Sequence, residues 1–199
     1  MTTIDHLTLD VTDTTAAGHF YKALGLDDRV RLRASDTPAN GFSGFTLSLV
    51  VSQPSTVDAL VGAALEAGAR VVKPAAKSLW GYGGVVEAPD GTLITVASSS
   101  KKDTGPATLQ IDELVLQLGV EDVAASKKFY VDRGLTVGRS FGRKYVEFET
   151  GAVKLTLNKR KVLAKVSGVD PDGDGAHRLH VAGEAGPCTD PDGFAWEQA

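Results

Sequence analysis

The chain contains the same short pattern twice, and this repeat constrains the fold more than any other feature of the sequence. Each copy has a strand-like tetrapeptide, an aromatic pair, a Gly-Leu step and a Pro-Asp-Gly turn. In the first copy these are Ile4-Asp5-His6-Leu7, Phe20-Tyr21, Gly25-Leu26 and Pro89-Asp90-Gly91. In the second copy they are Ile111-Asp112-Glu113-Leu114, Phe129-Tyr130, Gly134-Leu135 and Pro191-Asp192-Gly193. An internal repeat of this length predicts related structural units whose matched positions can be compared directly.

The repeat divides the 199 residues into two halves, and a polar segment marks the division. The stretch from Ser98 to Pro106 is rich in Ser, Lys, Asp and Gly, which is typical of a linker. We therefore predict a first lobe over residues 1–98, a linker over 99–108 and a second lobe over 109–199. The last module of the second lobe is reduced, because its expected helix has shrunk to Gly183-Glu184-Ala185-Gly186.

Composition and charge limit the compartment and the partners that we expect. A single cysteine, Cys188, rules out an internal disulfide and indicates a reducing, cytoplasmic setting. The first residues lack the basic and apolar regions of a signal peptide, and no apolar run is long enough to span a bilayer. A net charge of −4 argues against nucleic acid as a partner. We therefore predict a small-molecule partner, no nucleic acid, no membrane, and a monomer or a homodimer.

Hydrophobic periodicity predicts a strand, a helix and further strands in each repeat. Leu7 and Leu9 share one face of the first strand, so His6 points to the opposite face. The first helix is expected to follow Asp13, and another is expected to begin near Ser55, since both residue types are favourable N-caps. The mixture of strands and helices predicts the α+β class.

Together these motifs resemble those of the vicinal-oxygen-chelate superfamily, which includes glyoxalase, bleomycin resistance protein and extradiol dioxygenase. The resemblance rests on the paired Ile-Asp-x-Leu strands, the Phe-Tyr helices, the Pro-Asp-Gly turns, and the segment from Lys73 to Gly84. It implies tandem βαβββ modules that form two glyoxalase-like lobes with curved mixed sheets around clefts. These motifs are specific for the fold and weak for the reaction, because the superfamily spans enzymes and binding proteins.

The resemblance also implies where a divalent metal ion would bind. Members of the superfamily take its ligands from the first strand of each unit and from strands near its end. In the first lobe the corresponding residues are His6, Thr46 and Thr95. Two threonines and one histidine cannot replace the roughly three good ligands of a catalytic ion. In the second lobe the corresponding residues are Glu113, His180 and Glu197. This second set could hold Mn²⁺, Fe²⁺, Ni²⁺ or Zn²⁺.

A lysine argues against a metal ion in the second lobe. Leu155 and Leu157 share the apolar face of one strand, so Lys154 points into the cleft. Its ammonium group would repel a cation there and could neutralise Glu113 or Glu197. We therefore predict no metal or other cofactor, with a divalent metal ion as the alternative.

Four residues are candidates for ligand binding: His6, Trp80, Tyr82 and Lys154. Trp80 and Tyr82 lie in a glycine-rich stretch, where they would stack on a ligand or cap the edge of a sheet. The favoured function is metal-independent binding of a small organic molecule in a cleft, similar to bleomycin resistance proteins. The alternative is a metal-dependent enzyme of the glyoxalase or dioxygenase type, acting on a substrate with vicinal oxygens.

Overall fold

A computed structural model describes residues 2–199 and shows four α-helices in that range. The N-terminal half contains β1 (Ile4–Val11), α1 (Thr14–Ala23), β2 (Val30–Ala34), β3 (Asn40–Gly41), β4 (Phe45–Val50), α2 (Pro54–Glu66), β5 (Arg70–Ser78), β6 (Gly81–Glu87) and β7 (Leu93–Ser98). The C-terminal half contains β8 (Glu113–Val120), α3 (Val123–Asp132), β9 (Thr136–Phe141), β10 (Tyr145–Glu149), β11 (Val153–Lys159), α4 (Arg160–Ser167), β12 (Gly173–Asp174), a 3-10 turn (Ala176–Arg178), β13 (Leu179–Gly183), β14 (Cys188–Thr189) and β15 (Ala195–Gln198). The predicted α+β class is confirmed. None of the four helices described is long and apolar enough to cross a membrane.

The two helices of the repeat, α1 and α3, begin in the same way. The Asp13 carboxylate accepts hydrogen bonds from two backbone N–H groups in the first turn of α1, and Asp122 does the same for α3. The predicted cap at Asp13 is confirmed. In α2 the N-cap residue is Gln53, and the Ser55 N–H donates to the Asp103 carboxylate at 2.7 Å. The helix thus begins within one residue of the predicted Ser55, but Ser55 is not its N-cap, and the linker supplies an acceptor to its first turn.

The strands form two large sheets, and each sheet takes strands from both halves of the chain. The smaller sheet has the order β14-β15-β13-β1-β2, and the larger sheet has the order β5-β6-β7-β4-β8-β11-β10-β9. β12 and β3 form a separate short ribbon. This arrangement differs from the expectation that each lobe curves its own sheet around a cleft. The boundaries at residues 98 and 109 stay a sequence-based prediction.

Free strand edges explain why the halves share their sheets. The first strand of every unit pairs in parallel with the last strand of the same unit, as in β1 with β2, β4 with β7, β8 with β11 and β13 with β15. Each first strand therefore keeps one open edge, and an open edge invites another strand. β1 covers β13 and β4 covers β8, both in antiparallel register. The outer two units thus build one sheet, and the inner two units build the other.

A continuous hydrophobic core contains side chains from both large sheets and from α1, α2 and α3. In β1, Leu7 and Leu9 are fully buried, as their spacing predicts. In β11, Leu155 and Leu157 are fully buried, whereas Lys154 lies on the opposite face and is partly exposed. Strand alternation therefore separates an apolar face of each sheet from a face that carries polar side chains.

The tyrosines of the repeat bind the turns that precede the last strands. The Tyr21 hydroxyl lies 3.3 Å from both carboxylate oxygens of Asp90. The Tyr130 hydroxyl donates to the Asp190 carboxylate at 2.6 Å. Burial raises the pKa of Tyr130 and also that of Asp190. Each helix of the repeat is thereby attached to the following unit of the chain.

Candidate functional site

The described part of the chain contains a cavity of about 440 Å³, which we call the junction cavity. It lies between the end of β1, the segment before β4, the first Pro-Asp-Gly turn and the loop that follows α4. Its lining residues are Asp10, Thr12, Thr37, Pro38, Ala39, Gly41, Phe42, Ser43, Phe45, Arg70, Glu87, Asp90, Gly91, Leu93, Val169, Asp170, Asp172 and Arg178. Both halves of the chain contribute to this lining.

Arg178 is the buried cation of the junction cavity. Its side chain is 4% exposed, and the side chain of its counter-ion Asp90 is 2% exposed. Nη2 donates to the Asp90 carboxylate at 3.2 Å and to the Asp90 carbonyl at 2.7 Å, while Nε donates to the Asp10 carbonyl at 3.1 Å. Within residues 2–199, Nη1 has no hydrogen-bond partner. Arg178 therefore keeps the two N–H donors of Nη1 for a molecule in the cavity.

A second arginine fixes the loops around the junction cavity. Arg160, at the start of α4, donates to the carbonyl groups of Phe42 at 2.6 Å, Pro171 at 2.9 Å and Gly173 at 2.8 Å. Its guanidinium carbon also lies 5.1 Å from the centre of the Phe42 ring. Arg160 thus joins the segment before β4 to the loop after α4. The wall formed by Phe42 is held in position before any ligand binds.

A further polar cluster lies on the smaller sheet and consists of Asp10, Arg33, His180 and Glu197; we call it the arginine network. Arg33 Nε donates to Asp10 Oδ1 at 2.7 Å, and Nη1 donates to Glu197 Oε1 at 3.2 Å. His180 lies 3.2 Å from Asp10 through Nε2 and 3.0 Å from Glu197 through Nδ1. Burial acts to raise the pKa of Asp10, but hydrogen bonds from Arg33 and His180 outweigh it and leave that pKa lowered. Asp10 is therefore held as a carboxylate.

His6, a predicted ligand-binding residue, lies beside the arginine network. It pairs in register with Ala182 of β13 and is half-buried. Burial and the charge of Arg31 lower the pKa of His6, against the opposing effects of Asp5 and Glu197. The lowered pKa favours a neutral imidazole, which can accept a hydrogen bond. Whether His6 contacts a ligand stays a prediction.

The other predicted ligand-binding residues lie on the larger sheet. Lys154 Nζ is 2.6 Å from Glu113 Oε1, which is one of the two ion pairs that the sequence suggested. Tyr82 lies within β6, and its hydroxyl donates to the Asp58 carboxylate at 2.8 Å. Trp80 stands at the tip of the β5–β6 hairpin and is 84% exposed. Trp80 and Tyr82 line a shallow depression, away from both the junction cavity and the arginine network.

The residues considered for a metal ion do not come together. His180 and Glu197 meet at 3.0 Å in the smaller sheet, whereas Glu113 belongs to β8 in the larger sheet. The three candidate residues of the first lobe are also divided: His6 lies in the smaller sheet, whereas Thr46 and Thr95 lie in the larger sheet. Within residues 2–199, no three His, Cys, Asp or Glu side chains are arranged to hold a metal ion. The donor set does not fit the ion that the resemblance implies.

Four residues of these sites were not among the sequence-based candidates: Asp10, Arg33, Asp90 and Arg178. The sequence does indicate Asp10 as a site residue, because strand alternation places it on the same face of β1 as His6. Arg33 lies in a segment that the sequence marks as a basic strand, and β-sheet register sets it opposite Asp10. Arg178 and Asp90 are distant in sequence, so no local pattern connects them.

The arrangement of four related units, whose first strands pair across two large mixed sheets, is a fold shared with solved structures of a glyoxalase I and a putative dioxygenase. Among solved structures, glyoxalase I from Zea mays superposes with a TM-score of 0.61 and 14% identity, covering 98% of this chain and 91% of that one. A putative dioxygenase from Bacillus subtilis superposes with a TM-score of 0.56 and 13% identity, covering 93% of this chain and 70% of that one. No protein-family model and no curated protein matches the sequence. These similarities establish the fold and leave the function to the site itself.

Proposed function

We propose that the protein binds a small, neutral organic molecule in the junction cavity and needs no divalent metal ion to do so. The observation that carries this proposal is the Nη1 group of Arg178, which has no partner within residues 2–199 and lines the cavity. Nη1 is not among the fully buried atoms that lack a partner within residues 2–199, so this donor faces the cavity. An acceptor oxygen on a ligand would pair with it there, and the low dielectric of the site would strengthen the bond.

The size and the walls of the cavity support a small molecule. Ligand pockets occupy roughly 300–1,000 Å³ and combine apolar walls with a few polar groups. The junction cavity has a volume of about 440 Å³ and apolar walls from Phe42, Phe45 and Leu93. These three side chains are nearly buried, with exposures of 5%, 2% and 5%. A compact apolar body with one polar end matches this lining.

The carboxylates of the lining disfavour an anionic ligand, and the free donor of Arg178 disfavours an ammonium group, which has no acceptor. Arg178 is paired with Asp90, and Arg70 is paired with Glu87. Asp170, at the loop after α4, has no salt-bridge partner within residues 2–199, and the same holds for the neighbouring Asp172. An anionic ligand would therefore meet excess negative charge, whereas an amide or ketone oxygen would not.

A metal-dependent glyoxalase or dioxygenase was the alternative prediction, and no side-chain arrangement within residues 2–199 favours it. His180, Glu197 and the neighbouring Asp10 have donor atoms, but the guanidinium of Arg33 already binds both carboxylates. The cytoplasmic location and the monomeric or homodimeric state stay predictions that accompany the binding proposal.

Three fragments with a shared phenyl ring test this function: phenylacetamide, phenylacetate and phenethylamine. The full chain is treated with EDTA, and amide NMR signals are followed during titration with each fragment. We expect phenylacetamide to shift the signals of cavity residues such as Gly91 and Leu93. Phenylacetate should bind at least about tenfold more weakly, because its charge faces the carboxylates of the lining. Phenethylamine should also bind more weakly than phenylacetamide, because its ammonium group offers no acceptor to Arg178.

A pair of tryptophan substitutions provides the control. Ala39→Trp places a large ring in the wall of the junction cavity, whereas Ala107→Trp places the same ring in the exposed linker. Binding of phenylacetamide should be lost in the first variant and kept in the second. Equal shifts in both variants, or shifts that appear only after Zn²⁺ is added, would contradict the proposal.

A further inference from the structure

The arginine network brings a cation to a point where groups from four strands meet. Asp10 comes from β1, Arg33 from β2, His180 from β13 and Glu197 from β15. The guanidinium donates to both carboxylates, to Asp10 at 2.7 Å and to Glu197 at 3.2 Å from Nη1 and 3.3 Å from Nη2. His180 contacts the same two carboxylates, one through each ring nitrogen. One positive side chain therefore connects two acidic ones beside an imidazole.

The groups around this guanidinium have the chemistry of metal ligands. Two carboxylates and one imidazole supply oxygen and nitrogen atoms of the kind that bind Zn²⁺ and similar divalent ions. Strand alternation also places His6 on the same face of β1 as Asp10. An arginine is never deprotonated in proteins, so its charge is permanent. A divalent ion entering here would meet that charge and would have to displace charge-assisted hydrogen bonds.

We infer that Arg33 is a built-in counter-ion that takes the place of a metal ion between Asp10 and Glu197, and that removing its charge would open a divalent metal site with His180. This inference does not depend on the ligand of the junction cavity. It explains why donor residues are present on the smaller sheet although they are not arranged around a metal ion. It also assigns Arg33 a role, which is to neutralise the two carboxylates without a metal.

Arg33→Met tests the inference, because methionine keeps an apolar stem and removes the charge. Arg31→Met is the matched control, since Arg31 lies on the same strand face, pairs in register with Thr8, and forms no salt bridge within residues 2–199. Zn²⁺ binding is measured by calorimetry on the full chain, and Co²⁺ absorption reports on the ligand geometry. We expect Arg33→Met to bind one Zn²⁺ per chain, at least about tenfold more tightly than the wild type and Arg31→Met.

A double variant shows which residues hold the ion. Adding His180→Ala to Arg33→Met should abolish the gained Zn²⁺ binding and the visible Co²⁺ absorption. Circular dichroism checks folding, and Arg33→Gln, which keeps a hydrogen-bond donor without charge, replaces Arg33→Met if that variant unfolds. Two results would overturn the inference: a wild type that binds one Zn²⁺ through His180, or an Arg33 variant that binds no better than Arg31→Met.

Discussion

Replacing Asp90 with Asn should lower the free energy of unfolding by about 3–5 kcal/mol, because it leaves Arg178 as a buried charge without a counter-ion. The two groups lie 3.2 Å apart, and their side chains are 2% and 4% exposed, so the guanidinium would be poorly solvated once the carboxylate is lost. Asparagine keeps the shape of the side chain and an oxygen that can still accept from Thr92, whose hydroxyl lies 2.8 Å away. The loss would therefore report on the charge rather than on packing.

The repeat supplies a control for this substitution. Asp192 has the corresponding place in the second Pro-Asp-Gly turn, where it accepts from the Ser126 hydroxyl and the Glu121 N–H, both at 2.8 Å. It has no cationic partner within residues 2–199. Asp192→Asn should therefore cost only about 1 kcal/mol.

Urea denaturation followed by circular dichroism, with linear extrapolation to water, measures both losses. In the double variant Asp90→Asn/Arg178→Met the buried cation is also absent, so part of the loss should be recovered. The reasoning would be refuted if Asp90→Asn lowered the free energy of unfolding no more than Asp192→Asn. It would also be refuted if the double variant lost the sum of the two single losses.

Three further measurements test other contacts. Tyr130→Phe removes the 2.6 Å hydrogen bond to Asp190 and should cost about 1–3 kcal/mol in urea denaturation, whereas an unchanged midpoint would show that this bond is dispensable. Asp103→Ala removes the acceptor at the start of α2 and should cost about 0.5–2 kcal/mol, with a smaller loss expected for Asp103→Asn. The pKa of His6 is lowered from 6.5, so its contribution to stability is complete above pH 6.5 and is lost as the pH falls from 6.5 to the folded pKa. An NMR titration of His6 should have its midpoint below 6.5, and Arg31→Ala should move that midpoint upward.

Elements that depend on neighbouring residues were predictable from the sequence. The caps at Asp13 and Asp122 act on backbone groups two and three residues away, so residue type and position are enough to identify them. The burial of Leu155 and Leu157 follows from strand alternation. The same alternation places the His180 side chain on the face of β13 that points away from the core. These features are encoded within a few residues of the chain.

Features that depend on distant segments were not predictable in this way. α4 escaped prediction because Lys159 offers no side-chain cap and the helix begins directly after β11. The predicted metal ligands all came from the second half of the chain. The outer units pair with each other, however, so these ligands lie in two different sheets. Glu113 therefore lies in a different sheet from His180 and Glu197. The bond between Arg178 and Asp90 likewise depends on tertiary pairing alone.

The pairing of β1 with β13 also sets an order of assembly in time. Ile4 pairs with Gly183, so β1 must wait until β13 has been synthesised before its second edge is covered. The larger sheet is delayed less, because residues 51–112 separate β4 from β8, whereas residues 12–178 separate β1 from β13. We expect the inner units to form a nucleus and the smaller sheet to close around it last. The arginine network, which combines β1 and β2 with β13 and β15, becomes complete only in that final step.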